Sequence, residues 1–228
     1  MNNCLYCFKE IKKETSWKSI LLLEQQMTIC QECHEKLKMI KGNICPICGR
    51  PSKNEEACTD CIRWEKSDFK GVLQKNRSIY EYNEFIKGIL NQFKFRGDAV
   101  LAEMFRHPMK EAYKKYFSSN FTLLPIPLGE KRLHERGFNQ SKLLAQILDL
   151  PMIEPLQKID TKKQSKKSRK ERIQSENMFT LVKPNIVKNI DILIIDDLYT
   201  TGTTIRHAAK VLMEAGANSV QSLTLIRS

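Results

Sequence analysis

The clearest hydrophobic periodicity begins after Asn83. Phe85, Ile86, Ile89, Leu90 and Phe93 recur at intervals of three and four, which gathers them on one face of a helix. That run ends in FKFRGD, where Gly97 is suited to stop a helix. A second helix is expected over 99–116. FTLLPIP, at 121–127, is a short apolar run closed by prolines and reads as a buried strand. The next stretch, LGEKRLHERGFNQ, is polar and reads as a flexible connection. A helix over 140–148 and a short strand near 152–156 follow. DILIID is the strongest strand, because its aliphatic run suits burial on both faces. TTIRHAAKVLMEAG reads as a helix with Gly216 just past its end, and SVQSLTLIRS as a final strand. Ile79 and Tyr80 lend strand character to SIYEY, in a connector over 64–82. The order strand–helix–strand repeats, so the fold class is α/β with a mainly parallel sheet.

The first 61 residues lack such periodicity except near 20–23. They hold all eight cysteines of the 228-residue chain. Two units with different chemistry follow: a cysteine-rich module over 1–63 and an α/β domain over 64–228. The cysteines form four CxxC pairs, Cys4/Cys7, Cys30/Cys33, Cys45/Cys48 and Cys58/Cys61. Two intervening residues let both sulfurs reach one tetrahedral ion at about 2.3 Å. One such pair could be free buried cysteines or a redox dithiol, but four in succession point to zinc. CPICGR has the proline and glycine that a zinc knuckle's turn needs. Sequential pairing gives one site from Cys4, Cys7, Cys30 and Cys33 and another from Cys45, Cys48, Cys58 and Cys61. A cross-braced pairing stays open. With four thiolates and no open position, each site is expected to be structural.

The formal net charge of +12 favours an anionic partner: nucleic acid, a phosphorylated substrate or an acidic protein. No apolar run approaches the roughly 18 residues of a membrane span. The opening MNNCLYCFKE does not read as a signal peptide. A cytoplasmic protein without membrane insertion is expected.

Asp196 and Asp197 close the DILIID strand, and a loop rich in threonine leads into the next helix. In an open parallel sheet, ligands bind beyond the carboxyl ends of the strands. A helix N-terminus presents free N–H groups and partial positive charge, which suits phosphate. Gly202 lets the backbone approach an anion closely, and Thr200, Thr201, Thr203 and Thr204 add hydroxyl donors. The neighbouring carboxylates can accept hydrogen bonds from vicinal hydroxyls. A sugar phosphate satisfies both halves. No Walker loop or GxGxxG is present at this position.

DILIIDDLYTTGTT resembles the phosphoribosyl pyrophosphate motif of type I phosphoribosyltransferases. Together with RGFNQ (136–140), FKFRGD (93–98) and the cysteine module, it makes nearly the whole chain similar to the ComF/GntX family. The resemblance implies a type I phosphoribosyltransferase-like fold and a part in competence and natural transformation, the import of single-stranded DNA. It implies that Asp196 and Asp197 hold the ribose hydroxyls and that Thr200, Thr201, Gly202, Thr203 and Thr204 hold the phosphate. By analogy, the loop over 128–139 meets the pyrophosphate through Lys131, Arg132 and Arg136. Mg2+ would accompany phosphoribosyl pyrophosphate.

The basic run over 158–172, with eight basic residues against two acidic, falls in the family's mobile loop. Thr161, Gln164 and Arg172 match the family's pattern. Its asparagine does not, because the spacing lands on Ser175 and Asn177 comes two residues later. A helicase of the DNA-import machinery is the implied protein partner, reached through the zinc module. Three functions compete: a phosphoribosyltransferase of unknown acceptor, a non-catalytic adaptor using the same pocket, and a single-stranded DNA binder. In the last, basic loops track phosphates and Tyr80, Phe95 or Phe138 stacks bases.

Overall fold

The computed structural model describes residues 3–11, 28–95, 98–117, 120–159 and 178–228. The periodicity at 20–23, the Gly97 stop and the expected loop residues Thr161, Gln164, Arg172, Ser175 and Asn177 lie outside the described residues, as does the side chain of Phe95. Among the described residues no helix is long and apolar enough to cross a membrane.

Two short helices, α1 (Gln31–Lys36) and α2 (Thr59–Glu65), belong to the cysteine-rich segment. Strand β1 (Asn76–Glu81) leads into α3 (Glu84–Phe95), whose start Asn83 caps by accepting the Ile86 N–H at 2.8 Å. A 3-10 helix (Ala99–Phe105) precedes α4 (Arg106–Tyr116). Then come β2 (Thr122–Pro125), α5 (Glu130–Arg136), α6 (Gln140–Gln146), β3 (Leu156–Lys158) and β4 (Phe179–Leu181). A short 3-10 turn (Pro184–Val187) leads to β5 (Asp191–Tyr199), α7 (Thr203–Glu214) and β6 (Ser219–Arg227).

Four strands form a parallel sheet in the order β1-β6-β5-β2. Ile192, Leu193, Ile194 and Ile195 of β5 are all fully buried. Their alternating side chains serve opposite faces. Leu193 and Ile195 join Leu123 and Leu223 in a core covered by Ile89 and Phe93 of α3, Met109 of α4 and Leu144 of α6. Ile192 and Ile194 join Leu124 and Val220 in a second core, covered by Ile205, Ala208 and Leu212 of α7. Cys4, Cys30 and Cys33 belong to the first core, and Cys45, Cys48 and Cys61 to the second. The cysteine-rich segment thus packs against both faces of the sheet. It also shields the outer edge of β1, where the Ile40 N–H donates to Ile79 O at 2.9 Å and the Glu81 N–H to Lys38 O at 2.8 Å.

Several expectations need correction. LGEKRLHERGFNQ is not a flexible connection, because α5 occupies its middle. Gly137, at φ 76°, ends that helix with its N–H on Leu133 O at 2.8 Å. None of its residues is buried, so it has no apolar stripe to read. The expected helix over 99–116 divides at Arg106. Pro108 sits in the first turn of α4, the place where a missing N–H is tolerated. Met152 makes only an isolated parallel bridge to Leu123, and the true strand nearby, β3, pairs antiparallel with β4. The acid pair does not end its strand. β5 continues to Tyr199, with Asp196 opposite Thr224 and Tyr199 opposite Arg227.

Candidate functional site

The eight cysteines form two clusters, Cys4/Cys7/Cys30/Cys33 and Cys45/Cys48/Cys58/Cys61, with the four sulfurs of each within 4.8 Å of one another. This is the sequential pairing. The clusters repeat one design. In the first knuckle the Cys4 N–H donates to Lys9 O at 2.8 Å and the Phe8 N–H to Cys4 O at 2.9 Å. In the second, the Cys45 N–H donates to Arg50 O at 2.8 Å and the Gly49 N–H to Cys45 O at 3.0 Å. Phe8 and Gly49 occupy equivalent left-handed positions, at φ 62° and 70°. The other CxxC of each cluster opens a helix, with Cys30 capping α1 and Cys58 capping α2. Helix N-termini favour thiolate.

A tetrahedral ion with zinc–sulfur bonds of about 2.3 Å sets its sulfurs about 3.8 Å apart. Cys7 and Cys30 are 3.6 Å apart, Cys48 and Cys58 3.6 Å, and Cys45 and Cys61 3.8 Å, and none is in a disulfide. The donor sets fit two structural zinc ions. His34 is not among the ligands.

The second constellation lies where β5 leaves the sheet. Asp196 Oδ1 accepts from Ser141 Oγ and from the Asp197 N–H, each at 2.9 Å. Asp197 forms an ion pair with Lys94, from the last turn of α3. Burial, and then the charge of Asp197, push the Asp196 carboxyl up to about 7, against the pull of Ser141, the Asp197 N–H and Lys94. Near neutral pH Asp196 is therefore partly protonated and can both donate to and accept from a hydroxyl.

RGFNQ builds the frame behind this pair. Gly137 ends α5, and Phe138 packs on Phe93 with ring centroids 5.7 Å apart. Asn139 caps α6 by accepting from the Ser141 N–H at 2.9 Å and donates to Ile126 O at 2.9 Å. Gln140 donates to Phe93 O at 3.4 Å and accepts from Arg136 Nη1 at 2.9 Å. The motif thus fastens α6 to the exit of β2 and to the end of α3, which brings Ser141 and Lys94 to the acids.

The loop runs from Thr200 to Gly202, and α7 starts at Thr203. Thr200 and Thr201 are exposed, Thr203 and Thr204 half-buried. Thr201 Oγ1 and Thr203 Oγ1 share a hydrogen bond of 2.8 Å. Gly202 takes φ 81° over the buried ring of Tyr199. Arg227 Nη1 donates to Thr200 O at 2.7 Å, and Trp64 Nε1 donates to Thr201 O at 2.9 Å.

Of the candidate cations, Arg136 is half-buried and feels the charge of Asp197; burial draws its pKa down while Asp197 opposes this. Lys131 and Arg132 are exposed, and Lys131 lies 3.9 Å from Glu135. The candidates Gln164 and Arg172 lie outside the described residues. Lys94 and Ser141 were missing from the expected set, although Lys94 stands inside the FKFRGD element and Ser141 directly follows RGFNQ. As base-stacking candidates, Tyr80 is overturned by its burial at 3% exposure, and Phe138 is half-buried against Phe93.

Comparison with known proteins bears on both constellations. The family described as double zinc ribbon domain matches residues 2–62, and the phosphoribosyl transferase domain matches residues 133–228. Adenine phosphoribosyltransferase from Leishmania tarentolae superposes with a TM-score of 0.40 and 15% identity, over 72% of this chain and 89% of that one. Competence protein ComFC of Streptococcus pneumoniae is 34% identical, over 98% of this chain and 99% of the relative. Competence protein ComFC of Bacillus subtilis is 44% identical, over 99% of this chain and 95% of the relative. With identity of that level along almost its whole length, the chain belongs to the ComFC family of double-zinc-ribbon, phosphoribosyltransferase-type proteins.

Proposed function

We propose that this chain binds phosphoribosyl pyrophosphate or a nucleotide and acts in competence, in the handling of imported single-stranded DNA. In this reading residues 1–63 are the zinc-binding module and residues 64–228 the ligand-binding domain. The observation that carries it is the acid pair of β5 set just before a glycine-bent hydroxyl loop at the N-terminus of α7. Asp196 and Asp197 hold the ribose diol. The N–H groups and hydroxyls of 200–204 take the phosphate. Arg136, which feels the charge of Asp197, is the candidate cation for the pyrophosphate. Lys94 and Ser141 already engage the two carboxylates, which suits holding hydroxyls more than caging an ion. Mg2+ would therefore enter mainly on ligand oxygens. The part in competence rests on the names of the relatives, and the roles in natural transformation and toward a helicase rest on the family resemblance alone.

Transfer from such a donor breaks the bond between C1 and pyrophosphate with oxocarbenium character. The chain would contribute positioning and cationic stabilisation of the leaving group.

Calorimetry on zinc-replete protein, with Mg2+ and phosphoribosyl pyrophosphate and separately with a nucleoside monophosphate, tests the pocket. Binding should appear and should be lost in Asp197→Ala. Silence with both ligands overturns the reading. Release of pyrophosphate over a panel of bases then separates a transferase from a protein that only binds.

A further inference from the structure

The phosphate loop is gripped from the side of the second cysteine cluster. Trp64 lies in α2, the helix that Cys58 caps and that carries Cys61. Its indole N–H reaches Thr201 O at 2.9 Å. Arg227, 3% exposed, donates from Nη1 to Thr200 O at 2.7 Å and to Tyr199 O at 3.1 Å, while its Nη2 lies 3.6 Å from Cys48 Sγ. Next to Trp64, Glu65 pairs at 3.1 Å with Arg206, which is fully buried in the first turn of α7. Arg206 also lies over the Trp64 ring, 5.3 Å from its centroid. Asn76, fully buried, donates to Cys48 O at 3.0 Å and so ties the knuckle to the sheet.

In a trans peptide the C=O of one residue and the N–H of the next point in opposite directions, and no peptide bond among the described residues is cis. Holding Thr200 O and Thr201 O toward the cysteine cluster therefore turns the N–H groups of Thr201 and Gly202 the other way. Successive N–H groups on one side form a concavity for anions. Trp64 spends its one donor on Thr201 O, while Arg227 gives Nη1 to the carbonyls of Tyr199 and Thr200 and turns Nη2 to Cys48 Sγ. A thiolate cluster around a divalent ion keeps net negative charge, and Arg227 offsets it at Cys48 while holding the loop.

We infer that Trp64 and Arg227 are positioning residues for the phosphate loop, and that through them the second four-cysteine site sets the loop's affinity for an anionic ligand. The inference rests on the sugar-phosphate reading above and assigns the second cluster a task beyond holding its own segment folded.

Trp64→Phe tests it, because an aromatic ring is kept toward Phe69 and Arg206 while the indole donor is lost together with part of the ring's area. Ile62→Ala, at an exposed position of the same helix, is the control. In ligand-free protein, the Thr201 carbonyl and Gly202 amide resonances should shift in Trp64→Phe and stay put in Ile62→Ala. Affinity for Mg2+-phosphoribosyl pyrophosphate should fall about three- to tenfold in Trp64→Phe, the value of one hydrogen bond. Zinc content should stay unchanged in both variants. Unmoved resonances, or equal affinity in wild type and Trp64→Phe, overturn the positioning role while the pocket stands. If wild type binds neither this donor nor a nucleoside monophosphate, the pocket reading itself fails and carries the inference with it.

Discussion

Gly202→Ala isolates what the bend in the threonine loop before α7 costs any other residue. At φ 81°, an alanine accepts a left-handed backbone, a penalty of roughly 1–2 kcal/mol. Its Cβ would also lie 2.2 Å from Tyr199 Oη, 2.6 Å from Cζ and 3.0 Å from Cε1. The ring has little room to retreat, because Tyr199 is 2% exposed and the Arg227 guanidinium lies 4.9 Å from its centroid. Forcing extra volume into such a site costs typically about 1–3 kcal/mol. The sum is roughly 2–5 kcal/mol. For a chain of this size each kcal/mol lowers the melting temperature by about 2–4 °C. Thermal unfolding of zinc-replete protein, at one fixed zinc concentration, should therefore show a midpoint at least about 4 °C lower, and urea unfolding a lower midpoint concentration. Repeating the substitution in a Tyr199→Leu background separates the two causes. With the ring gone, the cost should fall to the backbone penalty alone. A Gly202→Ala protein within about 0.5 kcal/mol of wild type, or a cost unchanged in the Tyr199→Leu background, refutes this account.

Asp196→Asn should stabilise the protein near neutral pH and weaken ligand binding. The folded Asp196 binds its proton up to about 7, against a usual value of 3.8, so wild type loses stability as pH rises through that window and levels off above it. The difference between variant and wild type, read by urea melts at pH 4 to 8, should grow with pH to roughly 2–4 kcal/mol; a flat difference refutes the elevated carboxyl. Lys94→Met leaves the Asp197 carboxylate without its cation and should cost roughly 1–3 kcal/mol, with much of the loss recovered by Asp197→Asn in the same protein. Elemental analysis should find two zinc ions per chain, one for each cluster. Cys48→Ser should weaken the second site, and strong chelators should unfold the cysteine-rich segment, seen as loss of protection of its amides.

What could be read from residue order was what is held by local contacts. The CxxC pairs are legible because the turn between two cysteines defines half a metal site. β5 is legible because Ile192, Leu193, Ile194 and Ile195 are buried on both faces and so carry no polar interruption. α5 was hidden because it buries nothing, so its helix is signalled only by Gly137 at the end. β4 has three residues, and its pairing with β3 exists only in the folded chain. The acids were legible, but not their partners. Lys94 comes from α3 and Ser141 from α6, and only the packing of both helices on the sheet brings them to Asp197 and Asp196. Arg227 is the extreme case. A lone arginine after a strand of aliphatics does not announce a hydrogen bond to a loop and a contact with a cysteine 179 positions earlier.

That long reach has a consequence during protein synthesis. Ser78 of β1 meets Thr224 of β6 across 146 positions, so at about 5–20 residues per second β1 waits roughly 7–30 s on the ribosome for the strand it pairs with in the sheet. The cysteine knuckles close over short distances and can capture zinc well before then. The nascent chain thus carries metal-filled, folded segments while half of each hydrophobic surface is still unmade. Its exposure to chaperones and to wrong pairings is governed by the late arrival of β5 and β6 rather than by the early cysteines.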